Sequence, residues 1–126
     1  MTPILVVLLL AGLEIKHFLA DYVLQNSWII AGKGNLRAGG GYVHAGLHIL
    51  GSAIVLVLFH TPALLLVELL AAEFVVHYAI DFTKANTGRG IDPRTRPVLY
   101  WSIYGFDQLL HHLTYIVMTY VVMTSV

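Results

Sequence analysis

An all-α, integral membrane four-helix bundle is the fold class predicted by three observations. Of the 126 residues, 58% are hydrophobic and only 11% are charged, and a soluble domain of this size rarely reads so apolar. The apolar residues fall into four runs, each of roughly 20 residues or more and so long enough to cross a bilayer core. Within those runs, ionisable residues recur four positions apart and therefore stack on one face of a helix.

The first span is expected over residues 3–30, with Pro3 suited to a first helical turn. Its apolar core Ile4–Leu13 is preceded by no Lys or Arg and followed by no small-residue cleavage site, which favours a membrane helix over a signal peptide. Glu14, His17, Asp21 and Gln25 then open a polar face. Lys16 lies off that stripe, placed either to pair with a neighbouring helix or to snorkel along it. Residues 31–41 hold five glycines and read as a loop. The second span, 42–59, carries His44 and His48 in its first turns, and small residues such as Gly51 and Ser52 suit close helix approach. His60-Thr61-Pro62 makes a turn. The third span, 62–85, carries Glu73, His77 and Asp81, with Lys84 at its surface end. Residues 86–97 form a polar loop with Gly88, Gly90, Pro93 and Pro97. The fourth span, 98–124, carries Asp107, Gln108, His111 and His112, and Tyr100, Trp101 and Tyr104 suit an interfacial belt. All four spans are read as one transmembrane domain over residues 1–126.

Basic residues set the expected orientation. Lys33 and Arg37 lie in the first loop, and Lys84, Arg89, Arg94 and Arg96 lie in or beside the third. With four spans these loops share a side, so loops 31–41 and 86–97 are expected in the cytoplasm and both termini outside. The formal net charge of zero offers no electrostatic case for nucleic acid. The absence of cysteine removes disulfides and thiolate metal sites.

Each span contributes a pair of candidate ligands at i, i+4: His17 with Asp21, His44 with His48, His77 with Asp81, and Asp107 with His111. All four pairs fall in the cytoplasmic half of their spans. Ionisable groups at membrane depth are costly and mark function by default. Eight donors exceed one tetrahedral ion and suit two divalent transition-metal ions, as in dinuclear sites built inside helical bundles. Nitrogen and oxygen ligands without sulfur favour zinc, with iron or manganese as alternatives. Glu73 and Glu14, one turn away, are candidate general bases, and Gln25, Gln108 and His112 are candidates to orient the ligands. A histidine in a membrane helix commonly serves as hydrogen-bonding glue between helices. Four pairs at one depth favour a metal over glue.

His17-Phe-Leu-Ala-Asp21-Tyr-Val-Leu-Gln25 resembles the first-helix motif of small bacterial membrane proteins known as domain of unknown function 3307. His44-x-x-x-His48, His77-x-x-x-Asp81-x-x-Lys84 and Asp107-Gln108-x-x-His111 resemble that family's other motifs, in the same order. The resemblance implies a bacterial inner-membrane protein and carries no established activity. A vaguer similarity runs to inner-membrane proteins labelled metal-dependent hydrolases.

The function expected first is metal-dependent hydrolysis of a lipid or lipid-linked phosphoester at the cytoplasmic leaflet, with membrane lipid and metal ions as partners and homo-oligomerisation left open. The alternatives are a diiron oxidase or desaturase-like enzyme, and a non-enzymatic metal transporter or sensor. The outer halves of the spans, such as Ile54–Leu58 and Met118–Met123, are almost wholly apolar, which opposes a through-route and favours a one-sided pocket.

Overall fold

The computed structural model describes residues 1–126 and contains helices only. α1 spans Pro3–Phe18 and runs directly into a π-helical turn, Leu19–Val23. α2 is short, Ser27–Gly32, and is followed by α3 (Gly39–Leu58), α4 (Ala63–Thr87) and α5 (Pro97–Ser125). Local chemistry sets several of these ends. Thr2 caps α1 through its hydroxyl, and Pro3 and Pro97 open their helices where a missing N–H costs nothing. His60 ends α3 by taking a positive φ of 55°.

Five helices, and not the four expected, make up the chain. The first expected span, 3–30, is two elements. The Leu24 amide donates to the Leu19 carbonyl five residues back at 2.9 Å, which widens the last turn after α1. The chain then leaves the helix, and Asn26 restarts it as the cap of α2, accepting from the Ile29 amide at 2.9 Å. The expected glycine loop is also shorter. Gly39, Gly40 and Gly41 belong to α3 because α2 lies across its first turn. A Cβ on Gly40 would sit 2.6 Å from the Trp28 carbonyl oxygen, so only glycine admits that crossing.

Three elements are long and apolar enough to cross a membrane: α1 with its π turn (Pro3–Val23), α3 and α4. α5, at 29 residues, has the length, but Gln108, His111, His112 and its tyrosines dilute its hydropathy. The apolar side chains facing outward, including Ile4, Leu58, Leu64, Val75 and Val117, are each at least 60% exposed, and lipid is the solvent that suits such a surface.

The four long helices close a ring. α1 packs on α3 and α5, and α4 packs on the same two, so α1 faces α4 and α3 faces α5 across diagonals. The interior changes character along the ring's axis. Towards the chain termini and the His60 turn it is apolar: Leu9, Leu13, Leu56, Leu69, Met118 and Val122, with the Tyr115 ring at its inner edge. Towards the α2 end it is filled with buried histidine and aspartate. Between lipid-facing helices the apolar half holds by close van der Waals packing, since burial from lipid gains little hydrophobic free energy.

The left-handed backbone at His60 costs a β-branched side chain about 1–2 kcal/mol. His60→Val is expected to destabilise the protein in detergent by up to that amount, read as a lower thermal midpoint, and His60→Gly to leave the midpoint unchanged or raised.

Candidate metal centre

All four long helices aim side chains into the polar half, and their four-residue spacing stacks them in layers. The outermost layer holds Lys16 of α1, Glu73 of α4 and Tyr115 of α5. The Lys16 Nζ donates to Glu73 Oε1 at 2.5 Å across the α1–α4 diagonal, and to the Tyr115 hydroxyl at 3.1 Å. The ammonium also lies 4.3 Å from the centre of the Tyr115 ring. Gly51 of α3 makes room for this lysine: a Cβ there would come within 3.1 Å of the Lys16 Cβ.

The next layer holds the ligand-type groups. The π turn brings Asp21 under α3, where its Oδ1 lies 3.0 Å from His44 Nε2 and 2.9 Å from His48 Nε2. Asp81 Oδ2 lies 3.4 Å from His44 Nε2 and 3.3 Å from His77 Nε2, and Asp81 Oδ1 lies 3.2 Å from His111 Nε2. Two groups with metal-ligand spacing result: Asp21, His44, His48 and His77, and then His77, Asp81 and His111, each with its donor atoms within 4.8 Å of one another. The imidazoles of His44, His48, His77 and His111 are at most 2% exposed.

Two physical features suit this cluster to holding a cation. The first is incomplete hydrogen bonding. Neither ring nitrogen of His44, nor His77 Nε2, makes a hydrogen bond, although carboxylate oxygens lie within 3.0–3.4 Å. Buried polar atoms that lie this close with poor hydrogen-bond geometry leave room for a shared ion or water between them. A zinc ion with ligands at about 2.0–2.1 Å in a tetrahedron spaces those atoms roughly 3.3 Å apart, close to the separations found. The second feature is charge. Asp21, Glu73, Asp81 and Asp107 bring four carboxylates, while Lys16 and Lys33 bring two ammonium groups. With neutral histidines these groups carry a net negative charge, which favours a cation among them.

Six of the eight expected metal ligands fall in these groups. His17 and Asp107 do not, because other partners hold them. His17 Nε2 donates to Gln108 Oε1 at 3.0 Å and its Nδ1 accepts from the Tyr115 hydroxyl at 3.0 Å, leaving no nitrogen free. Gln108 in turn donates to Asp107 Oδ2 at 3.0 Å. Lys16, Tyr115, His17, Gln108 and Asp107 thus form one directed chain of hydrogen bonds wrapped around the grouped ligands. Of the two expected bases, Glu73 is bound by Lys16. Glu14 is half-exposed and accepts from His112 Nδ1 at 2.7 Å, outside the cluster. Gln25 folds back onto the Asp21 carbonyl at 3.0 Å.

Three participants escaped the sequence reading. Lys33, assigned to the cytoplasmic surface, turns inward at the end of α2 and places its Nζ 3.0 Å from Asp81 Oδ2. Lys16 pairs across the bundle with Glu73, and Tyr115 bridges Lys16 and His17. Glu73 and Tyr115 sit one turn from the stripe histidines His77 and His111, and Lys16 is next to His17, a signal that becomes readable once helices are paired.

A family model described as "Protein of unknown function (DUF3307)" matches residues 4–126. No curated protein and no solved structure matches the chain.

Breaking one partner of a buried ion pair strands the other and costs about 3–5 kcal/mol, whereas replacing both with apolar groups is close to neutral. Lys16→Met and Glu73→Leu are each expected to destabilise the protein by that amount in detergent denaturation. The double variant is expected to recover most of the loss.

Proposed function

The chain belongs to the DUF3307 family, and for it we propose a membrane-embedded metal-dependent hydrolase that acts on a lipid or lipid-linked phosphoester. The observation that carries the metal is the convergence of His44, His77 and their carboxylate neighbours without hydrogen bonds. In this reading two divalent ions occupy the centre, one among Asp21, His44 and His48, the other between Asp81 and His111, with His77 shared by the two groups. Zinc is the first choice for such nitrogen and oxygen donors, ahead of iron or manganese.

Divalent ions in that setting supply an activated water and a clamp on a phosphoester's oxygens. The protein's own groups then have distinct tasks. Lys33, beside Asp81, neutralises an anionic ester oxygen brought to the centre. His17 and Gln108 hold Asp21 and Asp107 in orientation. Glu73 is bound by Lys16 and Glu14 lies outside the cluster, so we assign the proton-accepting role to Asp107, whose Oδ1 lies 3.5 Å from His111 Nε2.

We also propose α5 as a fourth span. It is long enough at 29 residues, and its outward face carries Leu109, Leu113, Ile116 and Val117. Its polar residues point into the ring, where Asp107 and His111 are buried. Both termini are then outside, and the basic loops after α2 and α4 face the cytoplasm of an inner membrane. Reporter fusions after Val126 and within residues 88–96 are expected to localise to opposite sides. A C-terminal reporter on the same side as the loop ends the four-span reading.

Elemental analysis of purified protein tests the metal. The parent is expected to carry a stoichiometric divalent transition metal, and the His48→Ala, Asp81→Ala double variant to lose most of it. Acidification is expected to release the metal, because imidazole and carboxylate must be deprotonated to ligate. A parent without metal, or a double variant that keeps its full complement, overturns the proposal.

A further inference from the structure

A row of three cavities follows α4 and α5 from the loop end to the middle of the bundle, each sharing wall residues with the next. It begins as a cavity of about 280 Å³ where Lys33, Lys84 and Tyr104 meet the end of α2. Lys84 and Ile103 also line the next cavity, of about 680 Å³, whose wall includes Asp107 and Ser102. Ile80 and Leu110 carry the row on into a third, of about 420 Å³, walled by Val76, Leu113 and Val117 and reaching Glu73.

The chemistry changes in step along this path. The loop end offers two ammonium groups, one 3.0 Å from Asp81 and one 4.9 Å from the centre of the Tyr104 ring. The middle has the Asp107 carboxylate in its wall. The far end is almost wholly apolar. A hydrocarbon chain alone leaves the lysines and Asp107 unmatched, and a free phosphate leaves the groove unfilled. A packed helix from a second copy has no phosphate for the lysines.

We infer that this row of cavities binds one anionic, single-chain glycerophosphate amphiphile. Its phosphate sits at Lys33 and Lys84, its free glycerol hydroxyl donates to the Asp107 carboxylate in the wall, and its acyl chain lies along Ile80, Leu110 and Val117. The inference deepens the hydrolase proposal by naming a substrate class, because it brings a phosphoester to the Asp81 side of the centre. It rests on the membrane reading and does not require the metal.

Native mass spectrometry in a neutral detergent tests it, with oleoyl glycerophosphate and oleoyl glycerophosphocholine as probes on the full chain. One oleoyl glycerophosphate per protein is expected, held more tightly than the choline ester. Lys84→Gln is expected to weaken glycerophosphate binding roughly fivefold, the factor associated with one lysine charge at a membrane surface, and to leave the choline ester unchanged. Ser102→Trp, which fills the groove from an exposed position, is expected to weaken both probes. Elemental analysis of the two variants is expected to match the parent, so failure of the metal proposal and failure of this one are read separately. Equal affinity for the two probes in the parent overturns the inference. So does parental binding by Ser102→Trp, or a Ser102→Trp variant that changes only the oligomeric state.

Discussion

The contact between Lys16 and Glu73 decides how the rest of the bundle can be arranged. These residues come from helices that never touch, across a diagonal of the ring. An ammonium and a carboxylate at that depth are each intolerable alone, so the pair fixes the distance between α1 and α4 and the rotation of both. One side of it is mainly hydrocarbon, from Leu13 and Leu69 to Val122. Everything on the other side is histidine and carboxylate. The pair is therefore the floor of the polar chamber, and its lysine also touches Tyr115, the first link in the hydrogen-bond chain that ends at Asp107.

Much of this was legible from spacing. His44 with His48 and His77 with Asp81 follow the helical repeat without interruption, so their common face and common depth could be read from the chain and are what the structure has. The parts that were not legible have specific causes. Asp21 reaches α3 through a π turn that no residue type signals. Asn26 is a cap, which in a sequence this apolar looks like one polar residue among several. The glycines at 39–41 look like loop and are helix, because the reason for glycine there is the Trp28 carbonyl of another element. Lys33 follows a glycine and precedes another, and only the path of α2 turns it inward.

The same comparison separates residues that face the cluster from residues that support it. On an isolated helix, His17 is indistinguishable from His48: both are imidazoles one turn from another ligand-type group. Their neighbours tell them apart. His17 has a phenol on one nitrogen and an amide oxygen on the other, and is spent on them. His44 has carboxylates nearby and bonds to none. Spacing alone does not separate the two, since a fully hydrogen-bonded histidine and one with free nitrogens share the same periodicity.

The π turn carries one residue more than a regular helix would need over the same rise. Removing a single residue between Leu19 and Val23 would let α1 close into ordinary helix, with its apolar outer half undisturbed and Asp21 swung out from beneath His48. Membership of the centre for this carboxylate is thus written into chain length as much as into chemistry. An aspartate in the right order along the chain, but on a helix without the surplus residue, would be present in the sequence and missing from the chamber.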